Sequence, residues 1–165
     1  MKRLTSTLVL IFSLVALSAC GFQLRGQALQ LDKLPGPVQV SGIDRYSPLY
    51  REIARQLKSS GLRLADAGQK AGSRLLIQDY RSSSRVFSLN SSNAASEYEL
   101  KESFRFSVRT PDDGERVAAQ ALRVLRIFST SSDNVTVRKR EEKQLREDMR
   151  RELVNRMIRR IRAQG

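Results

Sequence analysis

The chain has 165 residues, of which 30 are Lys or Arg and 17 are Asp or Glu, so its formal net charge is +13. It has no histidine and one cysteine, which excludes a His-based catalytic triad, a His-ligated metal site and a disulfide bond within the chain. The length suits one domain and argues against a duplicated one.

The N-terminal residues have the pattern of a secretory signal that ends at the only cysteine. A basic start precedes an apolar run at 8–17, "LVLIFSLVAL", which is too short to span a bilayer. Two small residues then lead into Cys20, and this resembles the lipobox of bacterial lipoproteins. The resemblance implies that residues 1–19 are a signal peptide and that Cys20 is lipidated. The alternative is a plain signal followed by a stray free cysteine.

The predicted signal also bears on location and on partners. Gly21, rather than Asp, follows the cysteine, and by resemblance to sorting signals this favours the outer membrane, with the chain lipid-anchored on its periplasmic side. Without residues 1–19, 28 basic residues face 17 acidic ones, so the mature chain carries +11. A surplus of this size calls for an acidic partner. In the periplasm that means lipopolysaccharide or acidic protein surfaces, not nucleic acid.

Residues 20–37 are predicted to be a lipidated tether, because they end in "LPGP", two prolines around a glycine. The stretch "PVQVSGI" then alternates, with Val38 and Val40 on one face. It predicts a short strand that ends near Gly42. We therefore place the start of the folded domain at residue 38 and its end at residue 165.

The stretch "SPLYREIARQLKSSG" predicts the first helix. Ser47 suits the N-cap position, Pro48 the first helical position and Gly61 the C-terminal stop. Apolar residues recur between them at helical spacing and form one stripe, namely Leu49, Ile53, Ala54 and Leu57.

Three strands are predicted after this helix. The first, Arg74–Leu89, is apolar at its start and serine-rich at its centre. The second, "EYELKESFRFSVRT", alternates strictly, and its apolar face carries Tyr98, Leu100, Phe104, Phe106 and Val108. Glu102 also falls on this apolar face, so we expect it at a sheet edge.

The third strand is predicted to return antiparallel to the second. "PDDG" at 111–114 has turn chemistry, and the β-rich run Val117–Phe128 follows it. The apolar alternation slips in "ALRVLRIF", where Leu122 and Val124 give way to Leu125 and Ile127. We therefore expect a β-bulge in this stretch.

The last helix is predicted from about Arg138 to Arg162. Its apolar stripe consists of Leu145, Met149, Leu153, Val154, Met157, Ile158 and Ile161. Acidic residues lie early and arginines crowd the end, which complements the helix dipole. We expect most of these arginines, Arg156, Arg159, Arg160 and Arg162, to form a solvated face.

This order predicts an α+β two-layer sandwich, β-α-β-β-β-α, with two helices packed on one face of a four-stranded mixed sheet. Four stretches occur in this order along the chain: "CGFQLRG", "YSPLYREIARQLKSSGLRL", "SRVFSLNSSNAASEYEL" and "LRIFSTSSDNVTVRKREEKQLREDMRRELVNRMIRRI". Through these stretches the chain resembles the LptE family of lipopolysaccharide-assembly lipoproteins.

The resemblance implies a plug seated in the lumen of the outer-membrane β-barrel LptD, where the pair delivers lipopolysaccharide to the outer leaflet. A plugged barrel with a polar interior is a reasonable host for a charged domain. The alternative is a generic lipoprotein adaptor, such as a secretin pilotin or a peptidoglycan-synthase activator, which would share the anchor and the domain type but differ in partner.

Catalysis and cofactor binding are disfavoured. The sequence has no Gly-rich phosphate loop, and its adjacent carboxylates, Asp112–Asp113 and Glu141–Glu142, have ordinary explanations as a turn and as a helix start. We therefore predict that the protein is not an enzyme and needs no cofactor or metal.

Lipid A carries two phosphates, which suit arginine forks. Two basic clusters lie where strands or helices end and could meet at one end of the sheet: Arg81 with Arg85, and Arg138, Lys139 and Arg140. We predict that these five residues bind lipopolysaccharide. The alternative is that all five are solvated surface residues.

Overall fold

The computed structural model describes residues 34–66, 68–111, 114–129 and 135–164. The predicted signal peptide, Cys20, most of the predicted tether and the pair Asp112–Asp113 lie outside the described residues. The elements are β1 (Val38–Ser41), α1 (Pro48–Ser59), β2 (Ser73–Leu89), β3 (Ala95–Thr110), β4 (Gly114–Ser129) and α2 (Val135–Gln164).

The four strands form one mixed sheet in the order β1-β2-β3-β4. β1 pairs parallel with β2, and α1 lies in the connection between them, whereas β2, β3 and β4 pair antiparallel. Both helices cover the same face of the sheet, which we call the helix face, and the opposite face is called the open face. The predicted fold class is therefore confirmed.

The core lies between the helix face and the two helices. Alternate side chains of β3 point into this core, as the alternation of apolar and polar residues in its sequence predicts. Fully buried residues include Leu75, Ile77, Leu100, Phe104, Phe106 and Val108 from the sheet, Leu49, Ile53 and Leu57 from α1, and Met149, Leu153, Val154, Met157, Ile158 and Ile161 from α2.

α1 begins as its sequence predicts. The Ser47 hydroxyl accepts a hydrogen bond from the backbone N–H of Tyr50 at 3.1 Å, and Pro48 is the first helical residue. At the other end Gly61 adopts a φ of +81°, which a glycine tolerates at no steric cost. The buried Gln56 amide donates to the carbonyl of Arg151 at 3.2 Å and so joins the two helices.

The residues just before β1 pack onto the domain. Leu34 belongs to the buried core, and the carbonyl of Pro35 accepts a hydrogen bond from the Ser73 hydroxyl at 2.9 Å. On the outer side of β1, the backbone of Val38 is paired with the segment around Leu64. The short edge strand is therefore partly protected from pairing with other chains.

The predicted bulge in "ALRVLRIF" is wrong. Residues 120–129 of β4 pair with β3 in unbroken register, and the irregular pairing lies earlier in the strand, at 115–120. Because the alternation continues, Leu122 and Val124 are buried, whereas Leu125 and Ile127 turn to the open face, where they are 42% and 50% exposed.

A bulge does occur in β2, between Gln78 and Arg81, where Asp79 has a φ of +53°. The extra residue reverses the alternation, so that Tyr80 and Ser82 point to the helix face after it. This places Ser82 opposite Glu102. The expectation that Glu102 lies at a sheet edge is wrong, because β3 is an inner strand and Glu102 is fully buried.

Candidate functional site

The structure places the five predicted ligand residues on two sides of the sheet. Arg81 and Arg85 lie on the open face, opposite Ser103 and Glu99. Arg138 lies on the other side, over the ring of Tyr98. Each predicted cluster therefore occupies its own surface, and the sheet separates the two.

Arg85 is engaged within the chain. Its guanidinium donates to both carboxylate oxygens of Glu99, at 2.7 and 3.1 Å. These hydrogen bonds lower the pKa of the Glu99 carboxyl, so Glu99 stays charged. An anion that bound Arg85 would have to compete with this carboxylate.

Arg138 sits beside an aromatic pair at the start of α2. Its guanidinium carbon lies 5.6 Å from the centre of the Tyr98 ring, a cation–π distance. Tyr98 in turn stacks on Phe128 of β4, with ring centres 5.7 Å apart. Lys139 and Arg140 follow in the helix, and both are exposed.

This end of the molecule is also apolar. We call it the hairpin end and define it as the end of β2, the start of β3, the end of β4 and the first turns of α2. About half of each of its largest apolar side chains is exposed, namely Val86, Phe87, Leu89, Ile127, Val135 and Val137. Large apolar side chains that are exposed beside charged residues are typical of binding surfaces.

A buried polar cluster links the sheet to α2 below the hairpin end. Glu102 accepts hydrogen bonds from Tyr80 at 3.0 Å and from Ser82 at 2.7 Å. Arg146 and Arg150 of α2 approach the same carboxylate at 3.4 and 3.3 Å. Burial, the charge of Glu102 and the hydrogen bond to it raise the pKa of Tyr80 to about 12.

The open face is basic. Lys101, Arg105 and Arg109 project from β3 on this side, and Arg81 lies on it from β2. A shallow groove of about 480 Å³ crosses its centre, and Asp79 is the one carboxylate among its described lining residues. The positive charge of this surface is complementary to that of an acidic partner.

The described residues also bear on membrane insertion and metal binding. No helix there is both long and apolar enough to cross a membrane. Nor do three or more Asp, Glu or Cys side chains come together in the described ranges in a way that could hold a metal ion.

Sequence reasoning missed the composition of the hairpin end. The slip in "ALRVLRIF" was the available signal, because Leu125 and Ile127 are out of phase with the core residues and so had to face away from it. The contacts of Tyr98 with Phe128 and Arg138 could not be predicted from local sequence, because the three residues belong to three different elements.

The domain is thus an α+β sandwich with a charged and apolar end, and comparison with known proteins gives it a family. The family model described as "LptE: Lipopolysaccharide-assembly" matches residues 36–161. The chain belongs to this family, as its sequence resemblance indicated. The comparison with curated protein sequences found no match.

Solved structures share the fold. A rare lipoprotein B from Shewanella oneidensis superimposes with a TM-score of 0.66 at 20% identity, over 78% of this chain and 95% of that one. A lipoprotein B from Nitrosomonas europaea gives 0.65 at 22% identity, over 84% and 88%. A minor lipoprotein from Acinetobacter baumannii gives 0.61 at 16% identity, over 77% and 90%.

Proposed function

We propose that this chain is an outer-membrane lipoprotein, anchored through Cys20 on the periplasmic side, that assists lipopolysaccharide assembly and contacts lipopolysaccharide at its hairpin end. The family match supports the assembly role over a pilotin or a synthase activator. The protein acts by binding, without catalysis and without a cofactor.

The observation that carries the binding proposal is the pairing of cations with exposed apolar surface. Lipopolysaccharide presents phosphates beside acyl chains, so a surface that recognises it needs donors for the phosphates next to apolar contacts. Arg138, Lys139 and Arg140 provide the donors, while Val135 and Val137 provide exposed apolar surface in the same turns of α2. Basic residues near a helix N-terminus oppose its dipole, and a bound anion offsets that cost.

The test is to change Arg138, Lys139 and Arg140 to Glu together and to measure lipopolysaccharide binding as a function of salt. We expect weaker binding, a shallower salt dependence and little change in thermal stability, because Lys139 and Arg140 are exposed and Arg138 lies outside the buried core. The matched control changes Arg51, Lys58 and Arg63 to Glu, three basic residues outside the hairpin end with the same total charge change. Equal losses in the two variants would reject a localised site.

We also propose that the partner is the β-barrel LptD, with the basic open face against carboxylates of the barrel lumen. The support is the row of Lys101, Arg105 and Arg109 on a face that carries no helix. The full-length chain should co-purify with LptD from detergent-solubilised outer membranes. Reversal of these three charges should reduce the yield of LptD, and recovery of a secretin or a murein synthase in its place would favour the adaptor alternative.

A further inference from the structure

A further basic surface lies away from the hairpin end, between the outer edge of β4 and the last turns of α2. It is a groove of about 600 Å³ that we call the edge groove, and its lining residues are Ala121, Leu122, Arg123, Arg156, Arg159, Arg160 and Ala163. Three arginines of α2 therefore line this groove, together with Arg123 of β4, which also lines the groove on the open face. Counted along α2 from Lys139, Arg159 lies about 30 Å from the basic cluster of the hairpin end.

The backbone of β4 holds two of these arginines in place. Arg156 donates to the carbonyl of Arg123, and Arg160 donates to the carbonyl of Ala121, each at 3.3 Å. Because β4 is an edge strand, these carbonyls face away from β3 and are free to accept. A guanidinium has five N–H donors, so both arginines keep donors for a ligand after making these contacts.

The other two arginines are unpaired within the part of the chain that the structure describes. Among the described residues, none makes a hydrogen bond or an ion pair with the guanidinium of Arg123 or of Arg159. The nearby carboxylate of Glu152 is shared between Arg156 and Arg126, and no carboxylate lines the groove itself. Like charges at helical spacings of three and four residues destabilise a helix, and an anion in the groove would relieve this repulsion.

We propose that the edge groove binds phosphate groups, from a phosphate-bearing lipid headgroup or from a soluble phosphate. A phosphate offers three acceptor oxygens and up to two negative charges, which suits a groove lined by several guanidiniums. A single carboxylate would satisfy one or two of them. This site is additional to the lipopolysaccharide contact proposed at the hairpin end and does not depend on it.

The test measures binding of inorganic pyrophosphate and of dihexanoyl phosphatidic acid to the full-length chain in mild detergent by calorimetry. The variant carries Arg123→Gln and Arg159→Gln, since both side chains are exposed and make no hydrogen bond or ion pair with other described residues. The control carries Arg51→Gln and Arg63→Gln, with the same change in charge. We expect the first variant to lose about tenfold or more in affinity at an unchanged unfolding midpoint, and the control to bind as the unaltered chain does.

The two probes distinguish the source of the phosphate. Tighter binding of the lipid than of pyrophosphate, with no binding of dihexanoyl phosphatidylcholine, identifies a headgroup site, whereas tighter binding of pyrophosphate identifies a site for soluble phosphates. Absence of binding of both probes, or an equal loss in variant and control, overturns the proposal. Tighter binding of triglutamate than of either probe overturns the choice of phosphate over carboxylate.

Discussion

Glu102 is a fully buried carboxylate, and its charge is compensated from two elements. Two hydroxyl groups of β2 and two guanidinium groups of α2 converge on it. A buried charge is tolerated when it is paired and hydrogen-bonded in this way, but the loss of one member leaves the others uncompensated. The cluster therefore fixes how α2 sits on the sheet.

Replacement of Glu102 by Gln should lower the free energy of unfolding by about 3 kcal/mol, because Arg146 and Arg150 then lose their buried counter-charge. Urea denaturation at neutral pH measures this change. Glu147→Gln is the control, because Glu147 lies exposed on the same helix and its loss should change stability by about 0.5 kcal/mol or less. A similar effect of the two substitutions would contradict a structural role for the cluster.

Tyr80 makes the stability of the fold sensitive to alkaline pH. Its pKa rises from 10.0 to about 12 in the folded chain, so folding favours the protonated hydroxyl. The resulting stabilisation is fully present below pH 10 and is lost as the pH rises from 10 to about 12. Unfolding free energies across this range should therefore fall more steeply for the unaltered chain than for Tyr80→Phe.

The control for this pH profile is Tyr46→Phe, which removes a tyrosine hydroxyl at a position that is 78% exposed. We expect its profile to follow that of the unaltered chain. Parallel profiles for all three proteins would show that the Tyr80 hydroxyl is not the group responsible.

At the scale of elements, local chemistry was sufficient to predict most of the fold. Capping by Ser47 and the alternation in β3 depend on residues close in sequence, and both predictions are confirmed. The position of a bulge depends instead on which residue the neighbouring strand places opposite, and this is why the bulge at Asp79 was missed. The environment of Glu102 was missed for a similar reason, since its arginine partners lie more than 40 residues away.

Gly42, directly after β1, is required by the close approach of β2. It has a φ of +87°, and a Cβ added there would lie 1.9 Å from the carbonyl oxygen of Ile77. Gly61 after α1 has a similar φ of +81° but open space around it. Gly61→Ala should therefore cost only backbone strain of about 1 kcal/mol, and Gly42→Ala should cost about 2 kcal/mol more.

Thermal or urea unfolding of the two alanine variants measures this difference. Because the two glycines have similar φ values, backbone strain is similar in both variants, and the difference reports the steric clash at Gly42. Equal destabilisation would mean that β1 and β2 can separate at Gly42 without loss of other contacts.

At the scale of the whole molecule, the first described residues and the hairpin end lie at opposite ends of the sheet. The chain enters the described structure at Leu34, beside the first residue of β2, and the hairpin end begins more than a dozen residues further along the same strand. At about 3.3 Å per residue this separation is about 45 Å. An anchored molecule can therefore direct its hairpin end well away from the point where the tether joins the domain.

Cys20→Ala should abolish acylation and lipoprotein-specific processing without altering the domain, because the described core begins at Leu34. Labelling with a radioactive fatty acid measures the first effect, and the thermal midpoint of the purified protein measures the second. Incorporation of label into the variant would refute the assignment of Cys20 as the lipidation site. The predicted anchor rests on a short contiguous motif, whereas the two predicted basic clusters lie on different faces of the sheet, an arrangement that depends on strand register and not on local sequence.

The strand order β1-β2-β3-β4 repeats the order of the chain, and α2 follows the sheet. During synthesis, the antiparallel strands can therefore pair before the last 30-residue helix exists to cover them. Until α2 docks, the helix face of β3 and β4, which α2 contacts in the complete fold, is not fully covered. A nascent or truncated chain that pauses before Val135 would expose the apolar face of the sheet. Faster synthesis and docking of this helix should therefore favour folding over aggregation.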